Sequence, residues 1–395
     1  MKFIRLFTVF VVVLTAPLVL FAQDSLITQI AKKNLTTFSI ENNSFTGNGW
    51  DTLITQIKKS DFVLIGEDHL TNEIPFFYSA VVNEVKFDNF FCEIDPYSAK
   101  IIESKIKNPD ELQLKEYIKE FGDTFSFYAF EPEFQLLKQL VRSNTTIYGT
   151  DQIILIADRL ICNKLKQITH NNKAKKIYEN IEEKSKIYFS EFLKDPNKNF
   201  YFFTDEFEKQ LTDLLTLDLS EQEKERINAL KLSLKIYKEQ NHHLRIQLMK
   251  NNLMKEYLHW ENKKNLFKYG AFHLAKGESL LNVYDLGNLV NNIADSKFKQ
   301  SLHIMVFGKS GTQSSPFNGY PDQPIDENSS NLEPFKLLLD NVTTDQWHCF
   351  DMSPLRTALE NGTVVVNNTQ LEKIIKGYDY VIIIPEVTSA KHYSM

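Results

Sequence analysis

Cysteine is scarce in this chain of 395 residues, and the three present, Cys92, Cys162 and Cys349, are an odd number at scattered spacing. No disulfide framework is built that way, and no CxxC or Cys/His spacing offers a structural zinc site. A buried, inert thiol is the expectation for each. A basic field is also missing, since the formal net charge is -6. Phosphate neutralisation therefore drives no binding here, and nucleic acid is excluded as a partner class. The chain has no GxSxG elbow, no P-loop and no HExxH helix, which removes the usual serine hydrolase, nucleotide hydrolase and zincin readings. Trp347-His348-Cys349 is the one place where a thiol nucleophile suggests itself, and no orienting motif accompanies it.

What is present begins with a targeting pattern. Lys2 and Arg5 precede an apolar run from Leu6 to Phe21, and Ala22-Gln23-Asp24 follows. That order predicts a signal peptide over 1–22, cleaved after Ala22, and an exported protein, periplasmic or extracellular. The run is short for a bilayer span and broken by Pro17, so no stable membrane anchor is expected after cleavage.

The remainder divides by pattern. A polar segment, 23–50, leads into apolar runs that alternate with helical periodicity over 51–154: "FVLIG", "NFFC" and "TTIYG". Charged, helical periodicity then dominates 155–262, read as a helical insertion that caps the site. Apolar runs return over 263–395 in "NLFKYG", "SLHIMVFG" and "YDYVIIIPEV", with a Gly/Ser/Pro/Asn-rich loop over 309–331. Strands alternating with helices predict an α/β fold, a mixed, mainly parallel sheet flanked by helices, with a large helical insertion.

Four of these apolar runs end in polar groups. "FVLIG" releases Glu67 and His69, "NFFC" releases Glu93 and Asp95, "TTIYG" releases Asp151, and "NLFKYG" runs into Ala271-Phe272-His273. In an open α/β sheet, residues just past the strands' carboxyl ends converge on one crevice. The pattern Gly-x-x-His occurs twice in this setting, as "GEDH" and as "GAFH", so His69 and His273 are expected to share a pocket. Glu67 and His69 are two apart and point to one side of an extended strand end. A carboxylate beside an imidazole raises its basicity, which suits a general base. Two imidazoles with Glu67 equally suit a divalent transition metal. Glu73 is expected in the first turn of the following helix, where an acid meets the helix dipole.

Together "LIGEDHLTNEIPFF", "FFCEIDPYSA", "IYGTDQ", "LRIQLMKNNLM" and "YGAFHLAKG" resemble the superfamily that unites erythromycin esterases, TIKI-type proteases and bacterial haem-uptake lipoproteins. The resemblance spans most of 50–395. It implies an α/β core with helical insertions and a site of Glu67, His69, Glu93, Asp151, Arg245 and His273. The esterases separate the motif's Glu and His by two residues, whereas here only Asp68 intervenes, which is nearer the other branches. Three readings follow. The first is a hydrolase of an ester or amide in a small molecule or peptide, with His69 as general base. The second is a metal-dependent peptidase with Glu67, His69 and His273 as ligands, and the third is a non-enzymatic protein that binds haem, a metal or a small ligand.

Overall fold

The structure is a computed structural model, and it describes residues 23–343 and 345–393. The expected signal peptide lies outside the described residues. Among those residues no helix is long and apolar enough to cross a membrane.

Ten strands form one sheet: β1 (Leu35–Glu41), β2 (Ser44–Thr46), β3 (Phe62–Glu67), β4 (Asn89–Cys92), β5 (Thr146–Gly149), β6 (Asn265–Gly270), β7 (Ser301–Gln313), β8 (Gln323–Ile325), β9 (Trp347–Asp351) and β10 (Tyr380–Val387). Their spatial order is β2-β1-β9-β10-β7-β3-β6-β4-β5, with β8 added against β7. The strands from β10 to β5 in that order are mutually parallel. β9, β1, β2 and β8 are antiparallel to their neighbours. This is the mixed, mainly parallel sheet that the alternation predicts.

Burial on both faces explains the apolar runs. In β3, Val63 and Ile65 join one cluster with Tyr78, Phe90, Phe134 and Val306. Phe62 and Leu64 face the other way, among Phe91, Met249, Trp260, Phe267 and Tyr269. The period of two along the strand thus serves two cores.

The structure adds detail to the sequence reading at three places. The polar segment 23–50 is part of the sheet, because β1 pairs with β9 and β2 with β1. The expected loop 309–331 begins inside β7, where Ser310 and Gly311 stay in register with Glu386 and Val387 of β10. The remainder of that loop is anchored, Phe317 and Tyr320 packing against Phe192. Finally, no strand interrupts residues 150–264, and their helices enclose a core of their own around Ile161, Tyr178, Phe202 and Leu211. The helix His242–Lys255, counted with the insertion in the sequence, instead places Met249 and Leu253 against the sheet.

Gly66 marks how closely the strand ends approach. A Cβ there would lie 2.7 Å from Ala271 Cα, a backbone atom that cannot swing aside. Gly277, in contrast, has open space around it. Gly66→Ala is therefore expected to lower stability by about 1–3 kcal/mol, and Gly277→Ala to change it little. Urea unfolding midpoints at a constant m-value measure both.

Candidate functional site

The parallel strands β3, β4, β5 and β6 all end on the same edge, and the polar residues after them meet there. Glu93, just past β4, occupies the centre. Its Oε1 accepts from Arg245 Nη2 at 2.7 Å and its Oε2 accepts from the Gly270 backbone N–H at 2.7 Å. His69 Nε2 lies 3.6 Å from Oε2, and His273 Nε2 lies 3.5 Å from Oε1. Two imidazoles that are 204 positions apart in sequence therefore flank one carboxylate.

Each imidazole has a carboxylate on its other edge. His69 Nδ1 is 3.0 Å from Glu67 Oε1, and His273 Nδ1 is 2.8 Å from Asp285 Oδ2. With the carboxylates as acceptors, both rings carry their proton on Nδ1 and turn Nε2 toward Glu93. Asp285 gains its position by capping the helix Leu286–Ser296, whose first N–H it accepts.

Arg245 comes from the first turn of the helix His242–Lys255. It holds Asp151 through two parallel bonds, Nε to Oδ1 at 2.9 Å and Nη2 to Oδ2 at 2.6 Å. This is the forked carboxylate geometry that a guanidinium favours. Arg245 and Asp151 also line a cavity of about 220 Å3 with Glu93, Asp95, Phe127 and Tyr237. His69 is stacked on Phe127 at a centroid distance of 4.2 Å and its side chain is 27% exposed, against 7% for His273. The first histidine is thus the one that solvent can reach.

Glycine makes the approach possible. A Cβ on Gly270 would sit 2.9 Å from His69 Nε2, so the residue that donates to Glu93 must also lack a side chain. At β5, a Cβ on Gly149 would sit 2.4 Å from the Asp95 carbonyl oxygen. The exits of β4 and β5 are pressed together in the same way.

The charges adjust accordingly. Burial would raise the Glu93 carboxyl, but His273, Arg245 and His69 together hold it well below the usual carboxylate range. Burial would likewise lower both imidazoles. The Glu67 hydrogen bond and the Glu93 charge raise His69 above its ordinary value, and Glu93 with Asp285 raises His273. Asp95 caps the helix Pro96–Lys107 by accepting from Tyr97 and Ser98, and its burial pushes it up to about 6.

All six residues expected from the sequence, Glu67, His69, Glu93, Asp151, Arg245 and His273, come together. The metal reading fares differently. Glu67 contacts the Nδ1 edge of His69 and also receives Lys268 Nζ at 2.5 Å, whereas His273 lies beyond the Nε2 edge, across Glu93. Glu67, His69 and His273 therefore do not converge on a point. Among the described residues no group of three or more His, Cys, Asp or Glu side chains is arranged to hold a metal ion.

The sequence reading missed Lys268, Glu133, Asp285, Phe127 and His242. Lys268 had a visible signal, a lysine inside the apolar run "NLFKYG". His242, from the first turn of the same helix as Arg245, has its ring 5.8 Å from that of His273. The three cysteines are free and buried, and Cys349 lies in β9 rather than at the site.

No protein-family model matches the chain, and no curated protein matches it. Solved structures do. A mutant of the erythromycin esterase EreC in its open conformation superposes with a TM-score of 0.60 at 12% identity, over 91% of this chain and 100% of that one. A succinoglycan biosynthesis protein superposes with a TM-score of 0.57 at 14% identity, over 94% and 99% of the two chains. A Bacillus cereus protein does so with a TM-score of 0.54 at 12% identity, over 94% and 99%. The likeness is one of fold, and the chain has the erythromycin esterase-like α/β fold to which its motifs point.

Proposed function

We propose that this protein is an exported hydrolase of ester or amide bonds, with His69 as its general base. The observation that carries the reading is the convergence of two carboxylate–imidazole pairs on Glu93 beside a cavity that also presents Arg245. The esterase fold supports it, and the basic start and apolar run of residues 2–21 support export.

The separations of 3.5 and 3.6 Å around Glu93 are too long for direct hydrogen bonds, so the Nε2 edges stay open to a third partner. In the proposed reaction a water molecule gives its proton to His69 Nε2 and adds to the substrate carbonyl. Glu67 fixes the imidazole's tautomer and stabilises the imidazolium that forms. Arg245 Nη1 makes no hydrogen bond among the described residues, and with protonated His273 it can meet the developing oxyanion. Such donors, already in place, are worth several kcal/mol. Collapse of the tetrahedral adduct expels alcohol or amine, which takes the proton back from His69. Glu93 and Asp151 position Arg245 and His273 and do no proton transfer themselves.

Hydrolysis of a panel of esters and peptides by the purified protein, with and without chelator, tests the reading. Activity that disappears with the metal would point to different chemistry. On any substrate the panel identifies, His69→Ala is expected to lower the rate by roughly a hundredfold to ten-thousandfold with the fold intact. Glu73 stands at the start of the helix Glu73–Glu84 and accepts from the backbone N–H and hydroxyl of Thr388. Glu73→Gln should therefore leave the rate almost unchanged and cost only stability. Circular dichroism alongside the rates separates the two effects.

The pH dependence has a definite sign. A base must be neutral to act, and His69 is raised above its ordinary value of 6.5. The rate should therefore climb as pH rises through a midpoint above 6.5. Glu67→Gln removes a group that raises His69 while leaving Lys268, which lowers it. The midpoint of the pH–kcat/KM profile should then move to lower pH, with a lower plateau. A midpoint that stays or rises would show that Glu67 does not act on His69.

A further inference from the structure

Behind the Glu67–His69 pair lies a buried cation that takes no part in the proposed reaction. Lys268 belongs to β6, opposite Ile65 of β3 and Cys92 of β4, and its side chain is 4% exposed. It shares the strand face of Leu266, which packs among Tyr78, Cys92 and Phe134. There its Nζ donates to Glu67 Oε1 at 2.5 Å and to Glu133 Oε1 at 2.8 Å. Glu133, from the helix Glu131–Arg142, is 1% exposed.

A buried lysine is costly unless it is paired, and replacing such a pair with apolar groups often stabilises a protein. Stability alone therefore gives little reason for this arrangement. The oxygen it uses gives a better one. Glu67 Oε1 is the same atom that meets His69 Nδ1, so Lys268 fixes the acceptor on which the orientation of the imidazole depends. Glu133 supplies the charge that lets the lysine remain there.

We propose that Lys268, balanced by Glu133, is a positioning residue for the Glu67–His69 pair, holding Glu67 Oε1 where the imidazole turns Nε2 toward Glu93 and the cavity. The inference rests on the hydrolase reading for its effect on rate, and on geometry alone for its effect on the ring.

The electrostatic consequence follows from what surrounds each group. Around His69 stand Glu67 and Asp68 on its own segment, Glu93 after β4, Lys268 on β6 and, behind Lys268, Glu133. Lys268 is the one that lowers it. Around Lys268 stand Glu67, Glu133 and the Tyr78 ring, whose centroid is 5.3 Å from Nζ. The nearby Cys92 thiol is pushed up to about 12 and Tyr128 is raised well above 10.0, chiefly by burial, so both stay neutral and balance no charge at neutral pH. Removing Lys268 should therefore raise the pH at which His69 titrates.

The test uses the full chain with two changes, Lys268→Met alone and Lys268→Met with Glu133→Met. The single variant leaves two buried carboxylates without their cation and is liable to unfold. The double variant removes both charges and is expected to keep a near wild-type unfolding midpoint. In the double variant the His69 imidazole, followed by NMR, should titrate at higher pH than in wild type. The acid limb of the pH–rate profile should move up with it. Misplacement of the base should lower kcat by about ten- to a hundredfold while KM holds. A folded double variant with wild-type imidazole titration and wild-type kcat overturns the proposal. Should the wild-type protein hydrolyse nothing, the hydrolase reading fails, and the NMR titration still decides whether Lys268 governs His69.

Discussion

Glu93 is a carboxylate taken almost wholly out of water, and the arrangement of the site follows from how its charge is compensated. Burying an ionised carboxylate is expensive unless hydrogen bonds and opposite charge surround it. Here the compensation comes from four groups on three stretches of chain: the Gly270 N–H at the end of β6 and His273 just beyond it, Arg245 from a helix, and His69 after β3. None of the four could drift without exposing Glu93 to an uncompensated interior. The same contacts hold the groups the proposed chemistry needs, so structural necessity and readiness for catalysis coincide. Arg245 extends the constraint to Asp151 and thereby ties in the exit of β5.

That joint also explains why both histidines are basic. Glu67, Glu93 and Asp285 lie against their rings. The permanent cations nearby, Arg245 and Lys268, are each shared between two carboxylates. The local excess of acid favours protonated imidazole in spite of burial. The two differ in access, the side chain of His273 being 7% exposed and that of His69 27%. In the proposed reaction that difference makes His69 the one to exchange a proton and His273 the one to stay protonated as a donor.

The sequence disclosed the site better than its supports. The six parallel strands were legible because they read as largely apolar runs, most of them buried on both faces, with β5 half-buried at Thr146 and Tyr148. Their polar exits were legible because Glu67, Glu93, Asp151 and His273 follow those runs at once. β1 and β2 escaped notice because edge strands beside polar turns carry no such run, and β1 is mostly half-buried. Asp285 and Glu133 were hidden for another reason. Asp285 looks like an ordinary helix cap and Glu133 like a first-turn acid, and only packing between elements reveals that each has a buried cationic or imidazole partner. Lys268 was there to be read, since a lysine in an apolar strand needs a buried counter-charge. The pattern asks for that partner without saying where it lies.

The wall facing His69 shows how the fold holds this arrangement rigid. Phe127 stacks on the imidazole, and the residue before it, Ser126, adopts φ 54 and ψ -122, a conformation that side chains other than glycine rarely take. On the other side of the ring's own segment, Leu70 has φ 67. Strain of this kind persists only where the surroundings over-determine it. At Leu70 the surroundings are identifiable: its carbonyl accepts from the N–H groups of both Ser314 and Ala390, each at 3.0 Å. At the other end Tyr393 N–H donates to Ala129, and His392 packs on Phe130 at 4.1 Å. Residues 388–393 thus clasp the β3 exit to the segment that carries Phe127. The imidazole and its stacking partner are set against each other by one strip of backbone, and the strained residues on either side mark where that strip holds them.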